Sequence, residues 1–298
     1  MAKFVPVGTH TALVTPFCAD ERHSVDVSAL RNLVEHQIAG GVDGLVACGT
    51  TGETATLEHH EYELVVSTVV AQAAGRVPVI AGVGSNSTAQ TLATARRACE
   101  LGVDGVLVVT PYYNKPSQAG MIQHFLLVAD ASSTPVVLYN VPSRTGVNLL
   151  PATVAQLAKH PNVIALKEAA GSLDQVQETI RLTNFDFAVL SGDDALCVPT
   201  YAVGGRGVIS VVSNVAPAHT SALWRHYAAG DAQAAARAQV ALLPLIKILF
   251  SEPNPQPAKM AMHLLGLMQP GCRLPLTEAT GATRTALEVA LRDLSLLA

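Results

Sequence analysis

Short apolar runs of about four to six residues recur along the chain, separated by longer stretches whose apolar positions return every three or four residues. The runs predict strands near residues 12–15, 44–48, 79–82, 105–109, 136–139, 163–166, 188–190 and 208–212. The amphipathic stretches 27–38, 58–74, 88–101, 119–131 and 151–159 predict helices between them. Strand-helix alternation spaced by about 25 to 35 residues means βαβ units and a parallel sheet.

An internal echo strengthens the reading. Gly41-Val42-Asp43-Gly44-Leu45-Val46 recurs as Gly102-Val103-Asp104-Gly105-Val106-Leu107, two βα units later, with a helix-ending glycine and an Asp-Gly turn each time. Eight such units close as a (β/α)8 barrel of the α/β class. A doubly wound sheet is the rival, but it wants a glycine-rich loop after strand one, where Thr15-Pro16-Phe17 stands. Past the eighth strand the chain predicts only helices, over 215–229, 232–250, 257–267 and 278–297, with Pro253, Pro255 and Pro257 forcing a loop before the third. The expected organisation is a barrel over 1–230 carrying the active site and a C-terminal helical extension over 231–298.

Composition narrows the class. The 298 residues are 49% hydrophobic and 14% charged, enough for one large α/β domain, and the sparse charge fits apolar surface covered by other subunits. A net charge of −4 offers nothing to nucleic acid or to an anionic membrane. Cys18, Cys48, Cys99, Cys197 and Cys272 are odd in number and irregularly spaced, as reduced cysteines of a cytoplasmic protein are. The first residues lack the apolar core of a signal peptide, and no apolar stretch approaches the roughly 18 residues of a membrane span. The residues around 241–250 read as a short buried helix.

Candidate chemistry collects at strand ends, where such barrels place their active sites. Lys167 closes the apolar run Asn162-Val163-Ile164-Ala165-Leu166. Desolvation at such a place favours the neutral amine, which can attack a ketone and form a Schiff base. By strand parity Val46, Cys48 and Thr50 share a face, as do Val137 and Tyr139, and Val163, Ala165 and Lys167, so Lys167, Tyr139 and Thr50 point into the barrel mouth. Arg144 adds a guanidinium suited to a carboxylate. Taken singly, each has a plainer reading as a packing tyrosine, a turn threonine or a solvated charge. The pair His59-His60 opens a helix without metal-ligand spacing, and no phosphate loop is present, so neither a metal nor a nucleotide is expected.

The segments Gly49-Thr50-Thr51-Gly52-Glu53, Pro111-Tyr112-Tyr113-Asn114-Lys115-Pro116, Tyr139-Asn140-Val141-Pro142-Ser143-Arg144-Thr145-Gly146, Lys167-Glu168-Ala169-Ala170-Gly171 and Ser191-Gly192-Asp193-Asp194 closely resemble the dihydrodipicolinate synthases. The likeness runs from Gly8-Thr9 to Arg273-Leu274-Pro275. The lysine and the Tyr-Asn-x-Pro strand are shared with the wider pyruvate-dependent aldolases, including N-acetylneuraminate lyases; the double Thr, double Tyr and Ser-Arg-Thr-Gly loop are more specific. The resemblance implies condensation of pyruvate with L-aspartate 4-semialdehyde, the first committed step of lysine and diaminopimelate synthesis, without a cofactor beyond a covalent imine on Lys167. It implies Tyr139 as general acid/base, and Thr50 linking Tyr139 to a Tyr113 that crosses a subunit interface. Thr51 and the Ile209 region are to hold the pyruvate end, with Gly192 a further substrate-binding position and Arg144 receiving the semialdehyde carboxylate. It further implies a dimer of tight dimers, and a lysine inhibition site at Ala55, His59, Asn86 and Tyr112. Two positions depart from lysine-sensitive bacterial members, Tyr62 standing for a His and Gln90 for a Glu. The competing readings are a neuraminate lyase or keto-sugar-acid aldolase or dehydratase, and a non-catalytic keto-acid-binding barrel.

Overall fold

A computed structural model describes residues 4–297; the N-terminal reading rests partly on residues 1–3, which lie outside them. Eight parallel strands close into a barrel in chain order, β1 pairing with both β2 and β8. They are β1 (Gly8–Ala12), β2 (Gly44–Ala47), β3 (Val79–Gly82), β4 (Gly105–Val109), β5 (Val136–Asn140), β6 (Val163–Glu168), β7 (Ala188–Ser191) and β8 (Gly207–Ser210). Helices follow them: α1 (Val27–Ala39), α2 (His59–Ala73), α3 (Thr88–Glu100), α4 (Gln118–Ala131), α5 (Pro142–Thr145), α6 (Pro151–Leu157), α7 (Leu173–Leu182), α8 (Cys197–Ala202) and α9 (Pro217–Ala228). Then come α10 (Ala232–Leu249), α11 (Gln256–Leu264) and α12 (Gly281–Asp293), packed on one another. This is the expected (β/α)8 barrel with a helical extension.

Local chemistry sets the boundaries. Asp26, Ser117 and Ser172 each accept a hydrogen bond from the third residue on, starting α1, α4 and α7. The repeated Gly-Val-Asp-Gly has one job in both copies. Asp43 exchanges two hydrogen bonds with Thr9, N–H to carbonyl at 2.7 Å and carboxylate from N–H at 2.7 Å, and Asp104 does the same with Val79 at 2.8 Å. Each aspartate thus stitches the start of its strand to the neighbouring strand, and Gly41 and Gly102 reach that turn through left-handed φ of 75° and 85°.

Three expectations need correction. Strand β1 lies earlier than the apolar run suggested, because its outward Thr9 and Thr11 are buried polar residues, bonded to the Thr220 carbonyl and to Gln37 Oε1. Strand β8 ends sooner, because the buried Asp194 carboxylate accepts the N–H groups of Val211 and Val212 and turns the chain. Helix α10 lies where a helix over 232–250 is expected, but its apolar stretch is not confined to 241–250: the whole helix, 18 residues, is long and apolar enough by length and composition to cross a membrane. It buries Ala235, Gln239, Leu242, Leu245, Ile246 and Leu249, one stripe at helical spacing, against the rest of the protein.

Two apolar layers hold the barrel. Ala12, Val46, Ile80, Leu107, Val137, Tyr139, Ala165, Leu190 and Ile209 fill the inside, while a larger cluster lies between strands and helices. Parity places Val46, Val137, Tyr139 and Ala165 inside as read from the sequence, but not Cys48 or Val163. Cys48 lies past the end of β2 at φ 52°, which breaks the alternation. A bulge opposite Val136 and Val137 leaves Ile164 unpaired, so Val163 faces out while Ala165 faces in.

Candidate active site

The C-terminal ends of the strands open into a cavity of about 500 Å³. Lys167 and Tyr139 lie opposite each other in the β5–β6 register, and the Lys167 Nζ sits 4.4 Å from the centre of the Tyr139 ring. Both line the cavity and both are buried, with 5% and 7% of their surface exposed. The space beside the amine is made by Gly192. A Cβ there would stand 2.7 Å from the Ala169 Cβ and 3.1 Å from the Lys167 Cε, so any larger residue would push the lysine aside.

Thr50 and Thr51 line the same cavity from a 3₁₀ turn, Thr50–Gly52. Several bonds fix that turn. Thr15 Oγ1 donates to the Gly52 carbonyl at 2.7 Å, Asn254 Nδ2 donates to Thr51 Oγ1 at 3.0 Å, and Glu53 closes the turn with its N–H on the Thr50 carbonyl at φ 52°. The Glu53 side chain then turns inward and pairs with Lys259 of α11, both essentially without solvent exposure. The Lys259 amine also donates to the Gly271 carbonyl at 2.9 Å and lies 3.9 Å from the Phe17 ring centre; burial lowers its pKa. The barrel's double-Thr turn and the helical extension are thereby locked together.

Arg144 stands on α5 at the cavity mouth, exposed, its Nη2 3.5 Å from the Asn254 carbonyl. Ile209 is fully buried in the inner layer and does not line the cavity; Val211, two residues on, does. Tyr113 is not brought to this cavity within the chain. It is 87% exposed at φ 71°, on a loop whose Asn114 Nδ2 donates to the Asn86 carbonyl at 2.8 Å. Among the described residues no three His, Cys, Asp or Glu side chains gather as metal ligands.

The whole chain is similar to known proteins. The description "Dihydrodipicolinate synthetase family" matches residues 6–294. A 4-hydroxy-tetrahydrodipicolinate synthase of Sorangium cellulosum is 51% identical, with 96% of this chain and 95% of that protein covered. A dihydrodipicolinate synthase structure from Thermotoga maritima superimposes with a TM-score of 0.96 at 42% identity, covering 99% of this chain and 100% of that one. A structure described as the first monomeric dihydrodipicolinate synthase variant gives 0.95 at 43%, covering 98% and 97%. The chain belongs to the dihydrodipicolinate synthetase family.

Of the positions that the resemblance assigns to lysine inhibition, Asn86 lies beside the double-Tyr loop, its carbonyl accepting from Asn114 Nδ2. Ala55, His59 and Tyr112 are exposed, and Asn86 is half-buried. Gln90 is exposed and its Oε1 accepts from Ser85 Oγ at 2.9 Å. Tyr62 points elsewhere: it is 8% exposed, packs in the outer core and leaves its hydroxyl without a partner, and burial raises its pKa. Sequence reasoning passed over the contribution of the extension. Ile246, Lys247, Phe250 and Asn254 all form cavity wall. The one signal for them in the sequence is Asn254, set between two prolines in a loop that no helix could claim.

Proposed function

We propose that this chain condenses pyruvate with L-aspartate 4-semialdehyde to 4-hydroxy-tetrahydrodipicolinate, the first committed step of lysine and diaminopimelate synthesis. The observation that carries the reading is the facing pair Lys167 and Tyr139 in one cavity beside the Thr50–Thr51 turn. The Lys167 amine attacks the C2 ketone of pyruvate and water leaves, giving an imine. Loss of a C3 proton yields the enamine, whose C3 attacks the aldehyde carbon. The alkoxide so formed takes a proton from the Tyr139 hydroxyl, replenished through Thr50. The semialdehyde's own amine then attacks the imine carbon, closing the ring and expelling Lys167. Thr51, Gly192 and the backbone near Ile209 hold the pyruvate carboxylate end, and Arg144 receives the second substrate's carboxylate.

An 87% exposed tyrosine held at positive φ supports a role outside its own chain. Tyr113 completes the relay of a neighbouring copy, in a homotetramer built as a dimer of tight dimers. The barrel, 1–230, supplies the chemistry, and 231–298 closes it. The scheme calls on no metal or added cofactor, and the five free cysteines support work in the cytoplasm. Borohydride added with pyruvate should leave a reduced adduct on Lys167, read by peptide mass. A coupled assay should then show consumption of aspartate semialdehyde, lost by orders of magnitude in Lys167→Ala. An adduct on another lysine would refute the mechanism, and better turnover with sugar-acid aldehydes would move the assignment to a neighbouring aldolase.

A further inference from the structure

Strand alternation sends Tyr139 and Lys167 into the barrel, so their successors Asn140 and Glu168 face outward, also directly opposite each other. Both successors are buried, with 0% and 4% of their surface exposed. The Glu168 carboxylate has no cationic partner among the described residues; it is held entirely by N–H donors. Asn140 Nδ2 reaches Oε1 at 3.0 Å and Oε2 at 3.2 Å, the Ala170 N–H reaches Oε1 at 2.8 Å, and Gln175 Nε2 reaches Oε2 at 2.9 Å. Burial pushes its pKa up and these donors pull it down.

The network continues to a second part of the site. Asn140 Oδ1 accepts from the Leu149 N–H at 2.9 Å, and Asn140 Nδ2 also reaches Asn148 Oδ1 at 2.7 Å. Asn148 is tied in turn to Gln175, its Nδ2 donating to Gln175 Oε1 at 2.7 Å. The segment between Asn140 and Asn148 is the loop that carries Arg144. One buried carboxylate therefore pins the spacing of β5 and β6 at the reacting pair and the base of the Arg144 loop. An apolar pair would bury as well but would fix no direction.

We propose that Glu168 and Asn140 are positioning residues that set the distance between Lys167 and Tyr139 and anchor the Arg144 loop. This rests on the proposed reaction and deepens it. A shift of the reacting pair by an ångström costs about 100-fold in rate, so the clamp matters to turnover and not only to folding.

The test is Glu168→Gln, alone and combined with Gln175→Glu. In the single variant the new amide must set an NH2 against another N–H donor whichever way it is turned. In the double variant the amide oxygen at position 168 still accepts from Asn140 and Ala170 and its NH2 donates to the new carboxylate at position 175, while the bond from Gln175 Nε2 to Asn148 Oδ1 at 3.1 Å is lost, so the repair is partial. The single variant should still be trapped with pyruvate by borohydride but lose kcat by about 10- to 100-fold, and the double variant should recover part of that loss. Melting temperature is measured alongside. A folded Glu168→Gln enzyme with wild-type kcat, or a double variant as slow as the single one, would overturn the proposal. If wild-type protein neither traps pyruvate nor consumes the semialdehyde, the reaction itself has been misread, a failure distinct from either result.

Discussion

Replacing Lys259 by methionine keeps the volume of the side chain and removes its charge, leaving the Glu53 carboxylate in a place where only 2% of it meets solvent. The remaining partners are the Arg273 N–H at 2.9 Å and the weakly donating Cys272 thiol, neither of them a cation. Breaking one side of a buried pair costs about 3–5 kcal/mol, most of it the desolvation of the charge left behind. For a chain of 298 residues the unfolding entropy is about 0.6 kcal/mol per kelvin, so the melting temperature should fall by about 5–8 °C. Activity should fall too, because Glu53 closes the turn that carries Thr50 and Thr51. Glu53→Gln combined with Lys259→Met removes both charges and should recover much of the stability, a coupling of at least about 1 kcal/mol in a double-mutant cycle. Thermal unfolding followed by circular dichroism on the four proteins reads this directly. Additive losses, or a single variant that melts with the wild type, would show that the pair does not hold the extension to the barrel.

Three further outcomes are expected. Arg144→Ala should weaken use of aspartate semialdehyde by about 2–4 kcal/mol in kcat/KM, as for a charge-assisted bidentate contact, while pyruvate imine formation survives; unchanged semialdehyde kinetics would remove Arg144 from substrate binding. Lysine should inhibit poorly, because a neutral Gln90 replaces a carboxylate and costs about tenfold or more in affinity, and Gln90→Glu should restore part of it; half-inhibition well below millimolar in the wild type would contradict this. Burial pushes His10 down to about 4, outweighing a backbone hydrogen bond at Gly8 that pulls the other way. Between about pH 6.5 and pH 4 the unfolded chain therefore binds a proton that the native state refuses, and stability falls as pH falls by about 3 kcal/mol in all. His10→Leu should flatten the dependence of melting temperature on pH in that window, and an equally steep curve would place the acid sensitivity elsewhere.

The chain's own pattern determined the architecture, because eight apolar runs alternating with amphipathic stretches have few ways to bury both faces of a parallel sheet. It also located Lys167 and Tyr139 on the inner face at strand ends, since a strand's period of two fixes which side chains share a face, and it put Thr50 and Arg144 in the segments that follow strands β2 and β5. The period carried no warning of the bulge at Ile164 or the left-handed Cys48, which turned Val163 and Cys48 outward. Buried threonines hid the true extent of β1, because a polar letter looks solvated until its hydrogen-bond partner, 26 or 211 residues away, is known. The same blindness concealed Asn254 against Thr51, Lys259 against Glu53, and the Asn140–Glu168 clamp. Each pairs polar groups distant in sequence, and a charge or amide reveals its role only through the partner that removes it from water. Tertiary structure alone decided which polar residues were surface and which were framework.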